Sequence, residues 1–185
     1  PQPFNYSMLN HRHSRLLEAE PRAKEFLSKH PLVSKLVTAC QERGWNASIV
    51  GGFPRDMLFG TAPNDVDIVI ENCPNLEALK TLVNSLGFGT AKEKGTFDRH
   101  FDLLCNSTSF SIFRAENTYG GADKTKATVV DVISAFDFNL NAFVIELSNM
   151  RFLDPLVLAE VTFDDTIAKI SIIGDESVAA NGIVH

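Results

Sequence analysis

The sequence lacks an apolar run long enough to cross a bilayer. An apolar-rich stretch such as residues 143–147 falls far short of the roughly 20 residues that a membrane-spanning helix needs. The N-terminus also lacks the apolar core of a signal peptide. We therefore expect a soluble protein that works in the cytoplasm and has no membrane partner.

Basic residues are scarce as well. The chain has 17 Lys and Arg against 23 Asp and Glu, which gives a formal net charge of -6. A protein that holds nucleic acid through bulk electrostatics usually has the opposite balance. A nucleic-acid substrate would therefore need additional contacts from elsewhere.

Cysteine is limited to three widely spaced residues, Cys40, Cys73 and Cys105. An odd number at this spacing fits neither a disulfide framework nor a Cys-x-x-Cys metal site. We expect all three to be reduced thiols.

The apolar spacing along the chain predicts an α+β fold. Helices and strands do not alternate strictly as βαβ units, which favours a mixed sheet with helices packed on it. The predicted helices are residues 14–42, in two pieces broken near Pro31, 54–59 and 74–86. The predicted strands are residues 47–50, 65–70, 99–105, 109–114, 129–133 and 137–147.

The pair Gly51-Gly52 stands between a predicted strand and a predicted helix. Glycines let the backbone approach an anion closely, and the free N–H groups of a helix start attract a triphosphate. Arg55, one turn into the helix, would add a charged fork. Taken alone, a Gly-Gly turn before a helix is usually only a turn.

Asp65 and Asp67 are two residues apart on a predicted strand, so their side chains leave the same face. Apolar residues at 66, 68 and 70 fill the opposite face. Two neighbouring carboxylates repel each other unless a cation lies between them, and Mg²⁺ prefers such oxygen ligands together with phosphates. The alternative for an isolated Asp-x-Asp is a solvated acidic strand end.

Several motifs follow one another in an order that is more specific than any one of them. Gly-Gly-x-x-Arg-Asp-x-x-x-Gly begins at Gly51 and is followed by Asp-x-Asp. Phe-Arg-Ala-Glu at 113–116, Asp-Phe-Asn-Leu-Asn-Ala at 137–142 and Leu-Asp-Pro at 153–155 come next. This order resembles the head domain of the tRNA nucleotidyltransferase (CCA-adding enzyme) and bacterial poly(A) polymerase family, within the polymerase-β-like nucleotidyltransferase superfamily. The resemblance covers roughly residues 47–155.

The resemblance implies a magnesium-dependent nucleotidyltransferase. Such an enzyme moves an NMP unit from an NTP such as ATP onto a hydroxyl, here at the 3′ end of an RNA, as in CCA addition or polyadenylation. Asp65 and Asp67 would hold the catalytic Mg²⁺ ions. The nucleotide would be bound by Gly51, Gly52, Arg55, Asp56, Arg114, Asp137 and Asn141.

The sequence departs from the family pattern near the nucleotide. Ala135 and Phe136 stand where the family has two arginines, and Ser109 stands where a carboxylate often precedes the Phe-Arg motif. Asp102 on a neighbouring strand could supply a third catalytic carboxylate, or it could be a simple strand-edge Asp. In strand geometry Asp137, Asn139 and Asn141 would share one polar face.

The motif boundaries suggest three parts. We expect an N-terminal helical extension at residues 1–30, the head domain at 31–160, and at 161–185 a C-terminal extension or the start of a truncated neck. The family's neck, body and tail domains have no counterpart in this sequence. The chain is therefore a segment of a longer RNA-modifying enzyme, a short nucleotidyltransferase acting on a protein or small molecule, or a catalytically degenerate nucleotide-binding or assembly module.

Overall fold

Two helices precede the sheet in this structure, a computed structural model that describes residues 14–156 and the short strands at 163–164 and 167–168. Helix α1 is Ser14–Ser28 and helix α2 is Pro31–Arg43. Proline is favoured in the first turn of a helix, so Pro31 begins α2 where the predicted break lies. Helix α2 ends at Gly44, whose φ of 72° is left-handed. The two predicted helical pieces are confirmed.

The centre of the fold is a seven-stranded mixed sheet. Its strands are β1 (Asn46–Val50), β2 (Asp65–Glu71), β3 (Lys92–Lys94), β4 (His100–Cys105), β5 (Thr108–Arg114), β6 (Val144–Glu146) and β7 (Arg151–Leu153). They lie in the order β3-β4-β5-β2-β1-β6-β7. Strands β2 and β5 are parallel, and all other neighbours in this sheet are antiparallel. A separate pair, β8 (Phe163–Asp164) and β9 (Ile167–Ala168), follows.

Three further helices connect the strands. Helix α3 (Gly52–Phe59) links β1 to β2, α4 (Leu76–Ser85) links β2 to β3, and α5 (Val129–Ser134) lies between β5 and β6. The side chain of Asn75 begins α4 by accepting a hydrogen bond of 2.8 Å from the backbone N–H of Ala78. The α+β fold with helices on a mixed sheet is confirmed.

The larger hydrophobic core joins one face of the sheet to helices α1 to α4. Because side chains alternate along a strand, every second residue of the central strands enters this core. The three cysteines are free and buried, as expected of reduced thiols. The buried residues of the core include Leu16, Leu27, Leu36, Ile49, Phe53, Val66, Ile68, Ile70, Leu82, Phe101, Phe110, Ile112, Phe143 and Phe152.

A smaller cluster lies on the opposite face. Val50 and Val69 from the sheet pack there against Val132 and Ile133 of α5. Asp65 and Asp67 alternate with the core residues of β2, so they project from the same face as this smaller cluster. Helix α5 therefore packs on the sheet face that carries the two aspartates.

The predicted strand at residues 129–133 is wrong, because this segment is helix α5. Thr128 and Asp131 form a capping box, in which the Thr128 N–H donates to the Asp131 carboxylate at 2.8 Å and the Asp131 N–H donates to the Thr128 hydroxyl at 3.3 Å. The β-branched residues of this segment favour a strand, but the cap satisfies the first N–H groups of a helix.

The predicted strand at residues 137–147 is wrong in its first half. Asn139–Asn141 form a 3-10 turn, closed by hydrogen bonds from the Asn141 N–H to the Phe138 carbonyl and from the Ala142 N–H to the Asn139 carbonyl, both 3.1 Å. Asn139 is fully buried, whereas Asp137 and Asn141 are half-buried, so the three do not share one polar face. Only β6 in this segment is a strand. The exposed edge strand β3 was not predicted, because it has no apolar alternation.

No helix among residues 14–156 is long and apolar enough to span a membrane.

Helix α1 contributes Leu16, Ala19, Ala23 and Leu27 to the larger core. The division of the chain at residues 30 and 160 stays a prediction. Most of the predicted C-terminal extension, and the first part of the N-terminal one, lie outside the described residues.

Candidate active site

Strand β2 presents Asp65 and Asp67 on the sheet face opposite the larger core. Val66 and Ile68 are fully buried, Asp65 is exposed and Asp67 is half-buried. The alternation predicted for this strand is therefore confirmed. The two carboxylates stand next to each other on a rigid central strand rather than on a loop.

Strand register places Asp102 on the same row as Asp67. Asp67 pairs with Ser111 of the parallel strand β5, and Ser111 pairs with Asp102 of β4. Residues paired directly across a sheet point to the same face, so all three side chains project from one face. The Ser111 hydroxyl donates a hydrogen bond of 2.7 Å to Asp102 Oδ1. Asp102 thus faces the candidate site from two strands away.

The Asp102 carboxylate is also held by two basic side chains. Lys94 Nζ lies 3.0 Å from Asp102 Oδ2, and His100 Nε2 lies 3.3 Å from Oδ1. Partial burial acts to raise the pKa of Asp102, but hydrogen bonds from Ser111 and Lys94 and the nearby positive charges outweigh it and lower that pKa. The lowered pKa favours the ionised carboxylate at neutral pH, and the protein's own donors already engage it. Its role as a third catalytic carboxylate stays a prediction.

Asp67 lies in an anionic environment. Burial, followed by the charge of Asp65, raises the pKa of Asp67 to about 6, with a further contribution from Asp102 and an opposing one from His100. A divalent cation would relieve this repulsion, and hard carboxylate oxygens are the ligands that Mg²⁺ prefers. Within the described residues no group of three or more His, Cys, Asp or Glu is arranged to hold a metal. An aspartate pair fits Mg²⁺ nonetheless, because this ion commonly binds one or two carboxylates together with substrate phosphates.

The Gly51-Gly52 turn lies directly against these carboxylates. Gly51 has φ 77° and ψ -136°, a conformation that other residues rarely adopt, and it precedes the first turn of α3. A β-carbon at Gly51 would stand 3.1 Å from Asp67 Oδ2, and one at Gly52 would stand 2.9 Å from Arg55 Nη2. The φ of Gly51 favours glycine, and the lack of a side chain at both positions lets the turn approach the Asp67 carboxylate and the Arg55 guanidinium this closely.

A chain of hydrogen bonds connects the turn to the segment after α5. Arg55 Nη1 donates to Asn141 Oδ1 at 2.9 Å, and Asn141 Nδ2 donates to Asp137 Oδ1 at 3.1 Å. Arg55 also forms an ion pair of 3.3 Å with Asp56. The structure therefore brings together Arg55, Asp56, Asp137 and Asn141, which lie up to 86 residues apart in the sequence.

Arg114 is placed differently. Its Nε donates to the Cys73 carbonyl at 2.7 Å and its Nη2 to the Pro74 carbonyl at 2.9 Å. The guanidinium thus holds the loop that precedes α4. In the register of β2 and β5, Arg114 is paired with Ile70, three residues along the strand from the Asp67 and Ser111 pair. Its contact with a nucleotide stays a prediction.

Sequence reasoning did not predict a cavity of about 620 Å³ beside Asp67. Its walls include the aromatic side chains of Phe97, Phe113, Tyr119 and Phe136. Asp67, and Asp137 from the hydrogen-bonded chain with Asn141, also line it. One signal was present in the sequence, because Phe136 replaces an arginine of the family pattern. The other aromatic residues carried no such signal, because they come from three separate segments.

The parallel pair of central strands, the glycine turn and the adjacent carboxylates together define a nucleotidyltransferase head domain. The sequence supports this class independently. Residues 47–157, more than half of the chain, match the family model of the poly A polymerase head domain. The chain belongs to this family. No curated protein matches the sequence significantly.

Solved structures similar in fold to this chain include a tRNA-processing enzyme, a CCA-adding enzyme and a tRNA nucleotidyltransferase. A tRNA-processing enzyme in an apo form is 21% identical with a TM-score of 0.56, and the match covers 80% of this chain and 40% of that one. A CCA-adding enzyme with CTP is 22% identical with a TM-score of 0.56, over 75% of this chain and 32% of that one. A tRNA nucleotidyltransferase complexed with a primer tRNA and an incoming ATP analog is 23% identical with a TM-score of 0.52. That match covers 66% of this chain and 34% of that one. These likenesses confirm the fold, and this chain spans two-fifths or less of each structure's length.

Proposed function

We propose that this chain is the catalytic head of a magnesium-dependent nucleotidyltransferase that transfers an NMP unit from an NTP to the 3′ hydroxyl of an RNA. The observation that carries the proposal is the close approach of the Gly51 turn to the Asp67 carboxylate. This arrangement suits a triphosphate, which needs backbone donors on one side and metal-binding carboxylates on the other.

In this proposal the start of α3 binds the triphosphate. The free N–H groups of the first turn attract phosphate oxygens, and Arg55 adds positive charge beside them. Asn141 orients Arg55 through its hydrogen bond of 2.9 Å, so the guanidinium does not have to be ordered when the nucleotide binds.

Asp65 and Asp67 would hold the Mg²⁺ ions. The bound ions would neutralise the triphosphate and favour ionisation of the attacking hydroxyl. The hydroxyl oxygen bonds to the α-phosphorus of the NTP as the bond to pyrophosphate breaks. Because the pKa of Asp67 is about 6, this side chain is mostly ionised at neutral pH and can bind a cation.

An RNA acceptor is supported by the family and by the solved structures, one of which contains a primer tRNA. The net charge of -6 gives the chain little general attraction for RNA. Contacts outside this head would therefore supply much of the RNA affinity. The proposed site of action is the cytoplasm.

The proposal is tested by incubating the chain with α-labelled ATP or CTP, MgCl₂ and a tRNA that lacks its 3′ end. We expect label in the RNA with the wild-type chain, at least about a hundredfold less with Asp67→Asn, and no change with Asp123→Asn on an exposed loop. Intact mass spectrometry of the protein and small-molecule products would reveal a different acceptor. Transfer that survives Asp67→Asn, or no transfer to any acceptor even at RNA concentrations high enough to offset weak binding, would contradict the proposal.

A further inference from the structure

The cavity beside Asp67 has a strongly apolar wall. Val50 and Val69 from the sheet and Val132 from α5 form its interior, and the half-buried rings of Phe113 and Phe136 line it as well. Its volume of about 620 Å³ is within the usual range for sites that bind a small molecule. The site described above uses only Asp67 and Asp137 of this cavity, so most of its wall has no assigned role.

Two aromatic rings at the cavity are exposed to solvent. Phe97 is 89% exposed and Tyr119 is 61% exposed, although both line the cavity. An apolar ring in this position gains free energy when a flat ligand covers it. Neither ring belongs to the protein core, so both are accessible to a ligand in the cavity.

Two polar side chains of the wall, Thr118 and Asp98, are already engaged within the protein. The Thr118 hydroxyl donates to the Ala115 carbonyl at 2.8 Å and accepts from the Gly121 N–H at 3.3 Å. Asp98 Oδ1 accepts from the Tyr119 N–H at 2.8 Å. These groups are poorly placed to read the hydrogen-bonding edge of a ligand, whereas the aromatic faces are suited to stacking.

We propose that this cavity holds the base of the incoming nucleotide by stacking it on the aromatic side chains of the head domain itself. The inference rests on the proposed function, because it places the base relative to a triphosphate on the Gly51 turn. Asp67 borders both the turn and the cavity, and Asp137 connects the cavity to Arg55 through Asn141. A nucleotide whose phosphates lie at the turn has its nucleoside within reach of this cavity.

A stacking cavity of this kind should bind the different bases with similar affinity. Stacking grows with ring size, and every base has a π-face, so recognition of this kind discriminates weakly among bases. We expect purine nucleotides to bind more tightly than pyrimidine nucleotides, and ATP and GTP to bind within about threefold of each other.

Equilibrium binding to the 185-residue chain tests the proposal, with ATP and inorganic tripolyphosphate as ligands in the presence of MgCl₂. We expect ATP to bind at least about tenfold more tightly than tripolyphosphate. Phe97→Ala and Phe136→Ala should each lower ATP affinity by about tenfold and leave tripolyphosphate affinity unchanged. Phe136→Trp should retain ATP affinity. Phe88→Ala, which alters a half-buried ring beside Lys35 in the larger core, is the matched control.

The outcomes separate the two proposals. If ATP and tripolyphosphate bind equally, or if Phe97→Ala leaves ATP affinity unchanged, the base does not occupy this cavity. If only the binding of an RNA acceptor depends on Phe97, the cavity serves the acceptor and the inference is again wrong. In each case tripolyphosphate binding that requires Arg55 would leave the proposed function standing. If neither ATP nor tripolyphosphate binds, both the proposed function and this inference are wrong. Because Phe97 is almost fully exposed, its variant tests the inference even if Phe136→Ala does not fold.

Discussion

Gly51 and Asp67 lie so close that a β-carbon on the glycine would stand 3.1 Å from Asp67 Oδ2. Gly51 directly follows the end of β1 and Asp67 is the third residue of β2, and these strands are paired antiparallel with Val50 opposite Asp67. The strand pairing therefore fixes the distance between the proposed phosphate-binding turn and the proposed metal ligand.

This contact predicts a large effect of Gly51→Ala. A β-carbon at φ 77° costs roughly 1–3 kcal/mol of stability, and here it would also press against the Asp67 carboxylate. We expect transfer activity and triphosphate binding to be lost together. Transfer assays measure the loss of activity, and urea unfolding measures the loss of stability.

Gly60→Ala is the matched control. Gly60 ends the same helix at φ 68°, but a β-carbon there meets nothing within 4 Å. We expect a loss of about 1 kcal/mol of stability with full activity. Equal losses of activity in both variants would show that backbone strain, not contact with Asp67, is responsible.

Asp67→Asn should stabilise the chain when no divalent metal is present. The folded-state pKa of about 6 lies above the ordinary aspartate pKa of 3.8, so between these values the native state binds more protons than the unfolded state. Consequently the free energy of unfolding of the wild-type chain falls as pH rises from about 4 to about 6. At pH 7 we expect the variant to be more stable by roughly 2 kcal/mol, and near pH 4 by much less.

Urea unfolding in EDTA from pH 4 to pH 8 measures this difference. Adding MgCl₂ should stabilise the wild-type chain and have little effect on Asp67→Asn, because the bound cation offsets the repulsion between the carboxylates. A stability gap that is independent of pH would contradict the assignment of the raised pKa to Asp67.

Arg55→Lys should weaken NTP binding while preserving the charge. A lysine cannot reproduce the guanidinium geometry that reaches both Asn141 and Asp56. We expect KM for the NTP to rise roughly tenfold, since one hydrogen bond involving a charged group is lost. Arg43→Lys, whose guanidinium donates to the Ala39 carbonyl at the exposed end of α2, should leave KM unchanged. If Arg55→Lys has a normal KM, the hydrogen bond that orients Arg55 on Asn141 does not contribute to NTP binding.

Asp102→Asn tests the third carboxylate. If this group acts in catalysis, kcat should fall by at least about tenfold. Ser111→Ala keeps the carboxylate and removes only its hydrogen bond of 2.7 Å, so we expect a smaller effect. Should Asp102→Asn retain wild-type kcat, Asp102 would be a structural partner of Lys94 and His100 and not a catalytic residue.

Thr128→Ala should destabilise α5, which borders the cavity. The variant removes the hydroxyl of the capping box, and such a loss costs about 1 kcal/mol. Thermal unfolding compared with Ser134→Ala, an exposed residue at the other end of α5, measures the effect. If the two variants are equally stable, the capping box does not determine the start of this helix.

The sequence by itself determined the local geometry of the proposed catalytic pair. A period of two places Asp65 and Asp67 on one face of β2 whatever the partner strands are, and the glycine pair permits a close turn without any distant contact. The ordered motifs identified the family for the same reason, since each motif is short and local.

The tertiary structure alone decided what surrounds that pair. The partners of Asp102, the bond from Arg55 to Asn141 and the aromatic wall of the cavity all depend on strand register and helix packing between distant segments. The sequence predicted one strand at residues 129–133 and another at 137–147. A capping box makes the first segment a helix despite its β-branched residues, and a 3-10 turn interrupts the apparent alternation of the second. Local propensity is weak compared with capping and packing, so the sequence correctly predicted the strand that carries Asp65 and Asp67 but not the pocket beside it.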